Sequence, residues 1–293
     1  EINELKKVGG KFLITKSKLK SSSKILNNNF DFLKDDTKKF LKTINKKNLI
    51  KKLTETIFNS KQKKYSLLLT GEQILDYYTT VNLQGKSQKS GVVSAAKIKT
   101  SKYGGGSILV ANLLSELIDK FSYLINGNIK TIKLLKNYLT KPFNLNLITT
   151  QDNSINQLLI KERFIDVYSK ARLFQLNQNQ KFFNLKENNQ KFQKTFLEKI
   201  KKFKDFIIFD FGYGYIDDNF SNLIRKKNNN FYINCQTNSS NYGFNLFSKY
   251  QKAEILCVDE AEFRLTVKNK DENIHDLILQ NKKILMNYKI FIV

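Results

Sequence analysis

From Tyr65 onward the chain alternates continuous apolar runs with amphipathic stretches, and this alternation constrains the fold more than any other feature. The runs "YSLLLTG", "FSYLING", "NLNLITT", "DFIIFDFG", "NFYINCQT", "AEILCVD" and "NYKIFIV" read as strands buried on both faces. Between them lie segments with apolar residues at helical spacing, over 108–121, "IKTIKLLKNYL", 188–203, 218–227, from Glu260, and 272–280. Strands separated by helices need crossover connections, so the pattern predicts an α/β fold with a mainly parallel sheet flanked by helices. The β-like pieces near 77–99 and 160–176 break the alternation. They predict a small separate β layer, with "LIKERFIDVY" and "KARLFQL" as a hairpin-like pair.

The segment before Tyr65 is different. "GGKFLITKSKLKSSSKILN" offers a strand-like piece (Lys11 to Thr15), three serines and a short helical start. Lys34 to Lys64 is lysine-rich with helical periodicity (Phe40, Leu41, Ile44, Leu49, Leu53, Ile57) and reads as a connecting helical region. The chain starts at Glu1 and stops inside the apolar run "YKIFIV", which reads as a fragment of a longer protein. The expected division is 1–30, a linker over 31–64, and a main domain over 65–293.

With 51 Lys and Arg against 26 Asp and Glu, the formal charge is +25. Clustered cations would suit nucleic acid. Here, however, the arginines are only Arg163, Arg172, Arg225 and Arg264, and arginine is the residue suited to bidentate phosphate and base contacts. The lysines are spread along the whole chain among asparagines, as in a compositional bias, and no nucleic-acid partner is expected. No apolar run approaches the ~18 residues of a membrane span, and no signal peptide is visible, so no membrane partner is expected either. Cys235 and Cys257 each sit in a strand-like run. They read as buried thiols of a reducing cytoplasm rather than a disulfide or metal site.

In open α/β sheets the ligand crevice lies at the carboxyl ends of the strands. Several strands here end in a polar residue: Asp76 just beyond the first, then Asp210, Gln236 and Asp259, with Glu262 one helical turn later. One such acid would be a turn former or a helix cap. Agreement among four strand ends favours a functional crevice. The stretch "KYGGGSILVAN" places three of the chain's twelve glycines before a helical run. Either something approaches that backbone closely or a tight turn precedes the helix.

The motifs "GEQILDYY", "YGGGSILVAN", "FDFGYGYI", "NCQTNSSNYGFN" and "CVDEAEFRL", in this order, resemble a ribokinase-like carbohydrate kinase. The likeness is strongest to the heptose-phosphate kinase half of bifunctional sugar kinase/nucleotidylyltransferases, which make activated sugars for surface polysaccharides such as lipopolysaccharide. It spans roughly Tyr65 to Val293 and implies a sugar or sugar-phosphate substrate with ATP and Mg²⁺ as cofactors. Asp76 matches the sugar-binding aspartate, and Gly105 and Gly106 match the glycine pair that lets the backbone approach the sugar. Asp259 and Glu262 match an Asn-x-x-Glu motif, with Asp in place of Asn. That motif lies on the nucleotide side, where Asp210 and Gln236 are also expected, and Glu262 would meet the metal through the Mg-nucleotide. The extra β pieces would be a lid over the sugar.

Some positions depart from the resemblance. Leu109 stands where the heptose kinases carry an asparagine, and Asn112, one turn on, is the substitute candidate for substrate binding. Tyr213 follows "DFG" where related enzymes often carry a basic residue. Lys86 reads as a solvated loop lysine and the single histidine, His275, as structural. The amino-terminal segment resembles the tail of a cytidylyltransferase-like domain, whose closing serines match Ser21, Ser22 and Ser23, although a serine-rich helix cap explains them nearly as well. The family's Gly-x-Gly-Asp, whose aspartate is the catalytic base, does not occur after Glu262. No catalytic base is therefore assigned, the base is expected beyond Val293, and these residues alone should lack turnover. A homodimer is left open. The competing expectation is a non-catalytic α/β binding module for polyanions.

Overall fold

A computed structural model describes residues 6–9, 35–44, 46–62, 66–142, 145–150, 158–178 and 186–293. It divides into two compact units, Glu1–Thr56 and Ile57–Val293. The expected strand over Lys11 to Thr15 and the serines Ser21, Ser22 and Ser23 lie outside the described residues. The lysine-rich segment forms two helices, α1 (Asp35–Thr43) and α2 (Lys46–Gln62), and the boundary between the units falls within α2.

The second unit carries the alternating pattern. Its strands are β1 (Leu67–Gly71), β2 (Gln73–Lys86), β3 (Val93–Gly106), β4 (Phe121–Ile125), β5 (Leu145–Thr149) and β6 (Leu159–Asp166). They continue as β7 (Arg172–Gln178), β8 (Asp205–Asp210), β9 (Asn230–Cys235), β10 (Ala253–Cys257) and β11 (Tyr288–Ile292). The described helices are α3 (Ser107–Leu117), α4 (Ile129–Lys136), α5 (Lys186–Ile200), α6 (Asp218–Arg225), α7 (Glu260–Val267), α8 (Ile274–Gln280) and α9 (Lys282–Leu285).

Seven strands make one sheet in the order β11-β10-β9-β8-β1-β4-β5, and every pairing in it is parallel. All five residues of β1 are buried, because helices cover both faces. Successive side chains of a strand point to opposite faces. Leu68 accordingly joins Phe206, Phe231, Phe196 and Phe220 in one core, while Leu67 and Leu69 join Ile108, Ala111 and Tyr123 in the other.

The remaining four strands form a second sheet, β3-β2-β6-β7, which is the separate β layer expected from the broken alternation. β3 runs antiparallel to β2 through all three glycines, pairing Gly104, Gly105 and Gly106 with Leu75, Ile74 and Gln73. The glycine run is thus the end of a strand rather than a turn. β6 lies parallel to β2 on its other side, which brings Lys161 opposite Asp76 and Arg163 opposite Tyr78.

Candidate functional site

The order of the large sheet fixes where a crevice can open. From β1 the chain first builds outward through β4 and β5, then crosses to β8 on the other side of β1 and builds outward through β9, β10 and β11. The chain goes on from β1 to β4 on one side and from β8 to β9 on the other, so the crevice lies beyond the carboxyl ends of β1 and β8. Residues 71–76 and 210–215 stand there.

Asp76, just past β1 and near the start of β2, is brought to this crevice. Its carboxylate is ion-paired with Arg163, from β6, and both side chains are about four-fifths buried, at 21% and 18% exposure. The Arg163 guanidinium also lies over the Tyr78 ring, 5.3 Å from its centroid, and Tyr78 meets Tyr103 edge-on at 5.8 Å. Asp76, Tyr78 and Tyr103 of β2 and β3 thus share one face of the small sheet with Lys161 and Arg163 of β6.

The glycines are explained by the protein's own groups. A Cβ at Gly105 would overlap the Asp76 carboxylate, and one at Gly104 the side chain of Ile108. Gly106 has φ +55, and a Cβ there would run into the Glu72 carbonyl. That carbonyl also accepts a hydrogen bond from the Ser107 amide, 2.9 Å away, at the start of α3.

Glu72 is the group the sequence reading missed. It is fully buried, yet its carboxylate accepts hydrogen bonds from the amides of Phe211 (2.8 Å) and Tyr213 (3.2 Å), tying the end of β1 to the turn after β8. Burial, with Asp210 adding repulsion, pushes its pKa up to about 7. Nothing in "GEQILD" separates Glu72 from Asp76 by spacing; what separates them is that Glu72 sits at the junction between β1 and β2, whereas Asp76 lies within β2.

Asp210 is brought to the same crevice, but as a buried hub. It has no exposure and pairs with Lys249 at 2.6 Å. It also accepts from the Tyr250 hydroxyl (2.7 Å), the Asn245 amide (3.1 Å) and the Gly212 amide (3.0 Å). Burial alone would lower the Lys249 pKa, but the Asp210 carboxylate outweighs it and the net shift is upward. Gln236 contributes its backbone, donating from its amide to the Asp210 carbonyl at 2.7 Å and accepting from Asn245 at 2.8 Å.

Asp259 and Glu262 form a capping box on α7. Asp259 accepts from the Glu262 amide, and Glu262 reaches back to the Asp259 amide, both at 2.8 Å. The other Glu262 oxygen accepts from the Thr237 amide at 2.7 Å, so this side chain joins the ends of β9 and β10. Its pKa is raised, chiefly by burial. Beside α7 lies a pocket of about 430 Å³ lined by Tyr242, Ala261, Arg264, Leu265 and Lys268. Among the described residues no group of three or more His, Cys, Asp or Glu could hold a metal ion. Both Glu262 oxygens are taken by backbone amides, so the donor set does not fit a protein-held Mg²⁺.

Asn112 is not gathered with these groups. Its amide donates to the Tyr138 carbonyl and accepts from the Thr140 amide, each at 2.9 Å, fastening α3 to the segment after α4. Cys235 is buried and free, with its thiol pushed up by burial, and Cys257 is free and half-buried. Lys86 is exposed at the end of β2 and His275 is exposed on α8. No helix among the described residues is long and apolar enough to cross a membrane.

A parallel sheet with its switch point at β1 and β8, roofed by a small β layer, defines the ribokinase-like fold of sugar kinases. Among solved structures the chain is similar to phosphofructokinase-2 from Escherichia coli in complex with fructose-6-phosphate. The TM-score is 0.52 and the identity 13%, over 78% of this chain and 72% of that one. It is similar also to a protein from Thermotoga maritima described as a possible 1-phosphofructokinase, with TM-score 0.52 and 14% identity over 77% and 70%. No protein-family model matches the sequence. No curated protein matches it at the level of sequence.

Proposed function

We propose that the chain is the substrate-binding body of an ATP-dependent sugar kinase, a phosphotransferase with an alcohol group as acceptor. The observation that supports this reading most directly is the placement of Asp76. A carboxylate stands at the switch point of a parallel sheet, under a polar face of a β lid. Asp76 would accept hydrogen bonds from two hydroxyls of one sugar, and Tyr78 and Tyr103 offer ring faces to its C–H groups. The β lid would exclude water from the transferred phosphoryl group. ATP would lie along the ends of β9 and β10, its base in the pocket beside α7. Mg²⁺ would travel with the nucleotide's phosphates rather than on a protein cage. The parent would join this kinase to a nucleotidylyltransferase and serve surface-polysaccharide synthesis in the cytoplasm, and a homodimer fits the reading.

The Gly-x-Gly-Asp that supplies the base in such kinases is not in this sequence, so these residues should bind ligands without turning them over. A non-catalytic binding module is the second reading, favoured by the commitment of Asp210, Asp259 and Glu262 to internal contacts.

The test is binding. Calorimetry with ATP and with a panel of sugars should show both ligands bound, and Asp76→Ala should weaken the sugar roughly tenfold or more, since a hydrogen bond to a charged group is worth ~1.5–3 kcal/mol. Sugar binding unchanged by Asp76→Ala would remove the reading's main support.

A further inference from the structure

The helices ahead of the α/β unit present large apolar side chains to solvent. On α2, Leu49, Ile50, Leu53 and Phe58 are 44%, 63%, 53% and 62% exposed, and Phe40 on α1 is 63% exposed. Every residue of α2 from Asn48 to Asn59 is exposed. At 3.6 residues per turn, the four apolar residues of α2 and Ile57 fall within about half of the helix circumference. Asn48, Lys51, Lys52, Glu55 and Asn59 take the other half. Single exposed apolar residues are ordinary, but a stripe running over more than two turns marks a surface that meets something.

Charge says what it meets. α2 carries Lys46, Lys47, Lys51, Lys52 and Lys61 against one acid, Glu55, and α1 adds Lys38, Lys39 and Lys42 against Asp35 and Asp36. Lys51 pairs with Glu55 at 3.9 Å and Lys38 with Asp35 at 3.4 Å, which leaves the lysines in excess. A second copy of the chain would bring like charge against like along the apolar seam. A nucleic acid would take the lysines and leave the stripe in water. The surface of an anionic bilayer takes both at once, phosphates against the lysines and acyl chains against the stripe.

We propose that α2, with α1 before it, is a peripheral anchor that binds the surface of anionic phospholipid bilayers. The helix would lie in the interface, its apolar half sunk by ~5–10 Å. The sequence gave reason to expect no membrane partner because it offers neither a span nor a signal peptide, and an interfacial helix needs neither. The anchor is independent of the sugar-kinase reading, since it shares no residue with the crevice around Asp76.

The experiment is co-sedimentation of the whole chain with vesicles of phosphatidylcholine alone and of phosphatidylcholine mixed with phosphatidylglycerol. The anionic vesicles should bind roughly ten times more tightly or better, and 0.5 M NaCl should remove most of that advantage. The formal charge of +25 would by itself draw the chain to anionic lipid, so a variant of unchanged charge carries the test. Ile50→Ser combined with Leu53→Ser should weaken binding to anionic vesicles roughly tenfold. Lys51→Gln with Lys52→Gln should weaken it several-fold, whereas Lys97→Gln with Lys99→Gln, on exposed β3, should change it little. The chain has no tryptophan, so Ile50→Trp supplies a single reporter, whose emission should shift to the blue on anionic vesicles. Circular dichroism checks that each variant is folded.

Binding unchanged by the double serine variant would reduce the effect to general charge and overturn the anchor. So would equal binding to both kinds of vesicle, no binding to either, or a tryptophan that keeps its solvent-exposed emission on saturating lipid. Self-association lost in the double serine variant, without vesicle binding, would assign the stripe to a second copy instead.

Discussion

At the scale of single residues, Glu72 and Asp210 show how one crevice gives two carboxylates different work. Asp210 has a cation in contact, Lys249, and further donors in Tyr250, Asn245, the Gly212 amide and the Cys235 thiol. Glu72 has only backbone amides, and burial dominates it. Its folded-state pKa of about 7 lies above the ordinary 4.5, so over that interval the folded state holds a proton that the unfolded chain has released. The contribution of Glu72 to stability is therefore fully present below about pH 4.5 and is lost as pH rises through about 7. The groups facing it are Asp210, Lys249, Lys161 and Tyr213, and of these only Lys249 and Lys161 oppose the upward shift. Urea unfolding at pH 5 and pH 8 should show wild type losing on the order of 2 kcal/mol more than Glu72→Gln across the interval. Parallel pH profiles for the two proteins would mean that Glu72 stays ionised throughout.

At the scale of elements, α7 is only eight residues long, and its start is held by the reciprocal Asp259–Glu262 box. Removing an N-cap carboxylate costs about 0.5–2 kcal/mol. Asp259→Ala should lower the unfolding free energy by about 1 kcal/mol in urea. Millimolar Mg²⁺ without nucleotide should leave the melting temperature of wild type and variant alike unmoved. Stabilisation of wild type by Mg²⁺ alone, abolished in Asp259→Ala, would instead make this pair a metal site. The same element shows what the sequence could tell. A strand end followed by "DEAE" announces both a cap and an acidic nucleotide-side motif, and the two readings use the same residues. The structure spends both Glu262 oxygens on amides, because Thr237 at the end of β9 arrives beside it. Its arrival depends on the strand order, which no spacing within "CVDEAEFRL" records.

At the scale of the whole molecule, the formal charge of +25 is a standing source of self-repulsion. Raising ionic strength from low salt to 0.5 M shortens the screening length to below ~8 Å. The melting temperature should then rise by about 2–4 °C, equivalent to about 1 kcal/mol for a protein of this size. A fall with salt would show that favourable ion pairs outweigh the net repulsion.

The architecture is legible in the sequence: the seven parallel strands, the helices between them, the extra β layer and the presence of Asp76 just beyond the first strand, although the edge strand β11 is mostly exposed where its apolar run reads as buried on both faces. These follow from periodicity over neighbouring residues, which a continuous apolar run or a helical stripe expresses locally. The tertiary structure alone decided the partners. Arg163 meets Asp76 from 87 positions away, Lys249 meets Asp210 from the segment between β9 and β10, and Glu72 becomes the buried clasp between β1 and the turn after β8. It also assigned the glycines to making room for Asp76, Glu72 and Ile108, and withdrew Asn112 into a fastening of α3. Desolvation and ion pairing depend on which strands the topology places side by side, and that is a property of the folded chain rather than of any one segment.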